Sequence, residues 1–92
     1  MLALYYFNWA GTSEEFKDFT GRVRNIIDGI KDVELSGIFI PLSEWHYVMF
    51  MKATSYEKVM QVLKKYLEKY GRPKTSLGKV ELFHTFEEFP FY

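Results

Sequence analysis

The stretch Leu2-Ala3-Leu4-Tyr5-Tyr6-Phe7-Asn8-Trp9, followed by Ala10-Gly11 and then Thr12-Ser13-Glu14-Glu15, decides the fold. A short apolar run rich in aromatics predicts a strand, and Ala10-Gly11 ends it. Thr12 and Glu15 stand at capping-box spacing: the hydroxyl accepts from a first-turn N–H and the carboxylate reaches back. Phe16, Phe19, Val23, Ile26, Ile27 and Ile30 then recur at spacings of three and four, one face of a helix. Gly29 before Ile30 predicts a left-handed cap with an apolar contact.

The same order returns further on. Val33 to Leu42 predicts a second strand with Pro41 near its end, where a missing N–H is tolerated. Ser43-Glu44 connects it to a third strand, Trp45 to Lys52. Thr54-Ser55-Tyr56-Glu57 repeats the capping-box pattern. The helix it opens carries Tyr56, Val59, Met60, Leu63, Tyr66, Leu67 and Tyr70 on one face. Gly71 ends it and Pro73 prevents its continuation. Arg72 to Gly78 is expected as a polar loop, Lys79 to Phe86 as a fourth strand, and Glu87 to Tyr92 as a tail. The tail's rings, Phe89, Phe91 and Tyr92, predict docking on a partner subunit or over an edge strand.

The order β-α-β-β-α-β is the split-βαβ, ferredoxin-like pattern of an α+β domain. Right-handed crossovers give a four-stranded antiparallel sheet, the first and third strands central, with both helices on one face. Ninety-two residues fit this one domain and no second.

Composition removes whole classes of function. There is no cysteine, hence no disulfide, thiol nucleophile or thiolate metal site. The formal net charge of zero argues against nucleic acid and polybasic membrane anchoring. No segment approaches the ~20 apolar residues of a membrane span, and Leu2 to Phe7 lacks the flanks of a signal peptide. The cytoplasm is the default compartment. No cofactor is expected. Histidines 46 and 84 are too few for a metal site, so none is expected either.

Aromatic residues make up 20% of the chain, more than one small core readily hides. The central strands are apolar on both faces. The aliphatic set Leu2, Leu4, Val48, Phe50, Val80 and Leu82 is assigned to the helix side. Tyr5, Phe7, Trp9, Trp45, Tyr47, Met49 and Met51 then take the open side, as a ligand or dimer face. The reverse assignment also leaves large apolar residues uncovered. The simplest cover is the same face of a second copy about a two-fold axis.

The chain resembles the GYD-domain proteins and the wider dimeric α+β barrel superfamily. The matching residues are Ser36-Gly37-Ile38-Phe39-Ile40-Pro41-Leu42-Ser43-Glu44, the strand Trp45 to Met51, Ala53-Thr54, and Lys79 to Glu88. The Gly-Tyr-Asp motif itself is replaced; the nearest residues are Ser43, Trp45 and His46. The resemblance implies a homodimeric barrel joined by sheet faces, with a pocket between sheet and helices in each subunit. An apolar or aromatic small molecule is the expected ligand.

Two alternatives stand beside it. Asn8, Trp9, Trp45 and His84 resemble residues of small cofactor-independent or heme-degrading monooxygenases, with His46 or His84 as base in a monooxygenase or isomerase. The family's helical histidine has no counterpart. The first and third strands are loosely similar to ribonucleoprotein motifs, with Tyr5, Trp45 and Tyr47 as platforms for single-stranded RNA. Charge is uneven: residues 58 to 79 hold seven basic residues against Glu68 alone. That marks Arg72, Lys74 and Lys79 as an anion-binding candidate, beside the plainer reading of a solvated helix face.

Overall fold

The structure is a computed structural model and describes residues 1–84; the end of the expected fourth strand and the aromatic tail lie outside them. Its elements are β1 (Leu2–Trp9), α1 (Ser13–Asp28), β2 (Val33–Phe39), β3 (Tyr47–Ala53), α2 (Tyr56–Tyr70) and β4 (Thr75–Phe83). The strands form one antiparallel sheet in the order β2-β3-β1-β4. Each helix links two parallel strands that straddle a third, which is the ferredoxin-like arrangement.

The caps fix where the helices begin. Thr12 Oγ1 accepts from Glu15 N–H, and Glu15 Oε1 accepts from Thr12 N–H, both at 3.1 Å. At α2 the cap is Ser55, one residue later than expected, and it accepts from Lys58 N–H with no reciprocal carboxylate. Thr54 is held by the sheet instead, its N–H donating to the Asp32 carbonyl at 3.3 Å. Gly29 is right-handed at φ −88° because its N–H still bonds inside the last turn. The left-handed residue is Asp32, at φ 66°, where the chain turns into β2. Gly71 ends α2 at φ 77° and ψ −167°, a conformation that favours glycine, and lets Arg72-Pro73 cross to β4.

β4 begins at Thr75, inside the expected polar loop. Main-chain pairing with β1 carries it there, and Ala10 N–H extends the ladder to the Lys74 carbonyl at 2.7 Å. β2 stops at Phe39, ahead of Pro41, and β3 starts at Tyr47 rather than Trp45.

The register overturns the assignment of faces. Ala3, Tyr5 and Phe7 lie opposite Met51, Met49 and Tyr47 on one side and Leu82, Val80 and Gly78 on the other. Directly opposed residues share a face, and this face carries the core. Phe7 is 0% exposed and sits among the rings of Tyr5, Phe16, Phe19 and Tyr47. Six of the seven residues expected on the open side, Tyr5, Phe7, Trp9, Tyr47, Met49 and Met51, therefore lie under the helices. Trp45 precedes β3, escapes its alternation, and packs against Tyr6 at 6.2 Å. Leu2, Leu4, Val48 and Phe50 take the open face, while Val80 and Leu82 are on the helix side as expected.

Rings on the helices explain this choice. Phe16 stacks on Tyr47 at 4.1 Å, and Phe19 meets Phe7 and Tyr66 edge-on at 5.6 Å each. Such pairs add roughly 0.5–1.5 kcal/mol each beyond area burial. Charge decides as well: Lys52 shares a face with Phe50, and Lys79 and Glu81 share one with Tyr6 and Leu4. Turning that face inward would bury all three charges.

Candidate functional site: a cleft between α2 and β4

The two helices do not cover the sheet evenly. α1 packs over β2 and α2 over β3, and neither packs closely on β4. Val59, Val62 and Tyr66 are the buried residues of α2. Val62 was absent from the expected stripe, whereas Tyr56, Met60 and Leu67, which belonged to it, are exposed. Between α2 and the β1–β4 half of the sheet a cavity of about 230 Å³ remains. Its walls include Tyr5, Met49, Val62, Leu63, Tyr66 and Val80. Among the described residues no charged side chain lines it, and Thr75 supplies its one aliphatic hydroxyl.

Val80 shows how the cleft arises. It points to the helix side, opposite Tyr5, yet remains 42% exposed, and no described helix packs closely on β4. Gly78 contributes too: a Cβ there would come within 2.9 Å of the Tyr5 ring, so its absence seats that ring on the cleft wall. Tyr66 stands between apolar and charged surroundings. Burial pushes its hydroxyl pKa up, and a hydrogen bond from the Arg22 guanidinium opposes that.

The residues singled out from sequence are dispersed. Tyr5, Met49 and Met51 line the cleft. Asn8 and His46 are engaged elsewhere: Asn8 Oδ1 accepts from His46 N–H at 2.9 Å, and His46 Nδ1 accepts from Trp9 N–H at 3.1 Å. The two side chains continue the β1–β3 pairing past the last ladder pair, Phe7 and Tyr47. His84 follows β4 at the Leu2 end of the sheet, whereas His46 lies at the Trp9 end. About seven residues of strand, roughly 23 Å, separate the two ends. The histidines do not share a cavity.

The basic candidates also separate. Lys74 is paired with Glu15, and that ammonium, then the Thr12 N–H, holds the Glu15 carboxyl below the usual glutamate range. Lys79 is on the open face, 2.9 Å from Glu81 and over the Tyr6 ring, and the Glu81 carboxylate raises its pKa. Arg72 lies at the start of the α2–β4 connection, beside the cleft. Two of the three expected RNA platforms, Tyr5 and Tyr47, face the helices. Among the described residues no group of three or more His, Asp or Glu side chains is placed to hold a metal ion. No described helix is long and apolar enough to cross a membrane.

A scan of protein-family models finds no match for the sequence, and a search of curated proteins finds none either. Solved structures do match. A dabb-family protein with a ferredoxin-like fold from Mesorhizobium loti superposes with a TM-score of 0.65 at 13% identity, covering 91% of this chain and 96% of that one. A transcriptional regulator from Neisseria meningitidis, solved as a complex with L-Met, gives 0.61 at 12% identity, over 95% of this chain and 52% of its own. An AsnC-family transcriptional regulator from Agrobacterium tumefaciens gives 0.60 at 10% identity, over 97% and 56%. The fold is ferredoxin-like. The chain spans about half the length of either regulator, and identities this low establish the fold alone.

Proposed function

We propose that the chain is a small-molecule-binding domain that works as a homodimer. The ligand is an apolar or aromatic molecule held in the cleft between α2 and β4, and the open sheet face meets a second copy. The carrying observation is the cleft itself, about 230 Å³ walled by apolar and aromatic side chains and open at Val80. An engineered apolar cavity of ~150 Å³ binds benzene, so this volume suits one or two rings.

The dimer reading rests on the other face. Leu2, Leu4, Tyr6 and Phe50 are half-buried there, and Phe39 is 51% exposed with its ring edge-on to Phe50 at 5.1 Å. Four strands of about seven residues project roughly 450 Å². A stable interface takes about 800 Å² per partner. The exposed Ile40 and Leu42, which continue from Phe39, would supply much of the difference. The resemblance to dimeric α+β barrels agrees with this pairing.

Titration with the fluorescent probe 1-anilinonaphthalene-8-sulfonate tests the cleft. Saturable one-to-one binding, lost in Val80→Trp and kept in Phe50→Glu, is expected. Binding lost in Phe50→Glu and kept in Val80→Trp would assign the probe to the open face and contradict the reading.

A further inference from the structure

Beside the apolar cleft lies a second, smaller pocket of about 150 Å³, between α1 and the α2–β4 connection. Phe19, Tyr66 and Pro73 line both. The second pocket is the polar one: Glu15, Asp18, Arg22, Arg72 and Lys74 surround it. Resting on the cleft as a ligand site, we infer that the ligand is an amphipathic anion, a one- or two-ring hydrocarbon body carrying a single carboxylate. The body occupies the cleft, and the carboxylate reaches past Tyr66 and Pro73 to Arg72 and Arg22.

The charges favour this class. Lys74 and Glu15 neutralise each other in an ion pair. Among the described residues neither Arg22 nor Arg72 is in an ion pair, and Asp18 is the remaining carboxylate. The pocket is left with one net positive charge and two guanidinium forks, the group best shaped to take a carboxylate through paired N–H donors. Arg22 already leans on a local aromatic: its guanidinium lies 5.1 Å from the Tyr70 ring centroid. The C-terminal end of α2 opposes an anion weakly, but the Leu67 carbonyl there is satisfied by Gly71 N–H at 3.0 Å. A wholly apolar ligand would leave the Arg72 guanidinium unmatched, and a cation would meet both arginines directly.

The test is calorimetric titration of the full chain with 2-naphthylacetate and, separately, with its neutral amide. The acid is expected to bind roughly tenfold more tightly, the scale of a partly exposed charge-assisted hydrogen bond. Arg72→Gln is expected to bring the two affinities together, Asp18→Asn to widen the gap, and Val80→Trp to abolish both. Equal affinities, unmoved by Arg72→Gln, would overturn the anionic ligand and leave the cleft standing. Undiminished binding of the acid to Val80→Trp would place it elsewhere and overturn the inference as well. Failure of both compounds to bind the unsubstituted protein would end the cleft reading itself.

Discussion

One face of the sheet holds Phe7 with no solvent exposure, ringed by four other aromatics. The other holds Phe39, half exposed, touching Phe50 at its edge. Both faces are apolar, yet they differ in kind. The covered face carries rings, methionines and the small Ala3 and Ala53, with no charge among its opposed pairs. The open face mixes Leu2, Leu4, Tyr6, Val48 and Phe50 with Lys52, Lys79 and Glu81. Val48, opposed by Tyr6 and Phe39, is only 4% exposed even there. A face that tolerates charges at its edge and an apolar centre is built like an interface, whereas a charge-free face is built like a core.

The largest expected effect falls on the covered face. Phe7→Ala removes a fully buried ring and is expected to cost about 3–5 kcal/mol in urea unfolding. Phe50→Ala, measured at protein concentrations low enough to populate single chains, is expected to cost less than half of that. Equal losses at the two positions would erase the distinction between faces. Phe50→Glu comes next: its far-ultraviolet circular dichroism should match the parent, while its solution mass falls to that of one chain.

Smaller effects sharpen where the covered layer is pinned to its helices. Asn8→Ala removes the acceptor for His46 N–H, and about 1 kcal/mol of stability should go with it. Thr12→Ala should cost a similar ~1 kcal/mol by uncapping α1, again read in urea. The pH dependence is subtler. The Glu15 pKa is lowered in the folded state, chiefly by Lys74, so its contribution is present above the unfolded glutamate pKa of about 4.3. That contribution is lost as pH falls from there through the folded value. Glu15→Gln is expected to flatten the acid limb of the melting profile and leave the neutral region slightly lower.

Element order was legible in the sequence because β1 and both Thr-Ser starts are local signals, and local hydrogen bonds realise them. The faces were misassigned because apolar content was weighed alone. Lys52, two residues from Phe50 on one strand, already marked that parity as the outside. The cleft was less legible. Leu63, Tyr66, Leu67 and Val80 each carry an ordinary apolar signal, and only the uneven seating of α2 leaves them around a space. Arg22 drew no notice, since one basic residue on a helix reads as solvated until the α2–β4 connection brings Arg72 alongside. Asn8 and His46 were each singled out as catalytic candidates, but nothing in the sequence pairs them; the β1–β3 register brings them together and engages both in that pairing.

The division of labour between the two faces is tested most directly by light scattering on a sizing column across a dilution series. The account predicts a steady mass twice the 11.0 kDa of one chain. A single-chain mass at every concentration would contradict it, leaving Phe39, Ile40 and Leu42 exposed for some other partner.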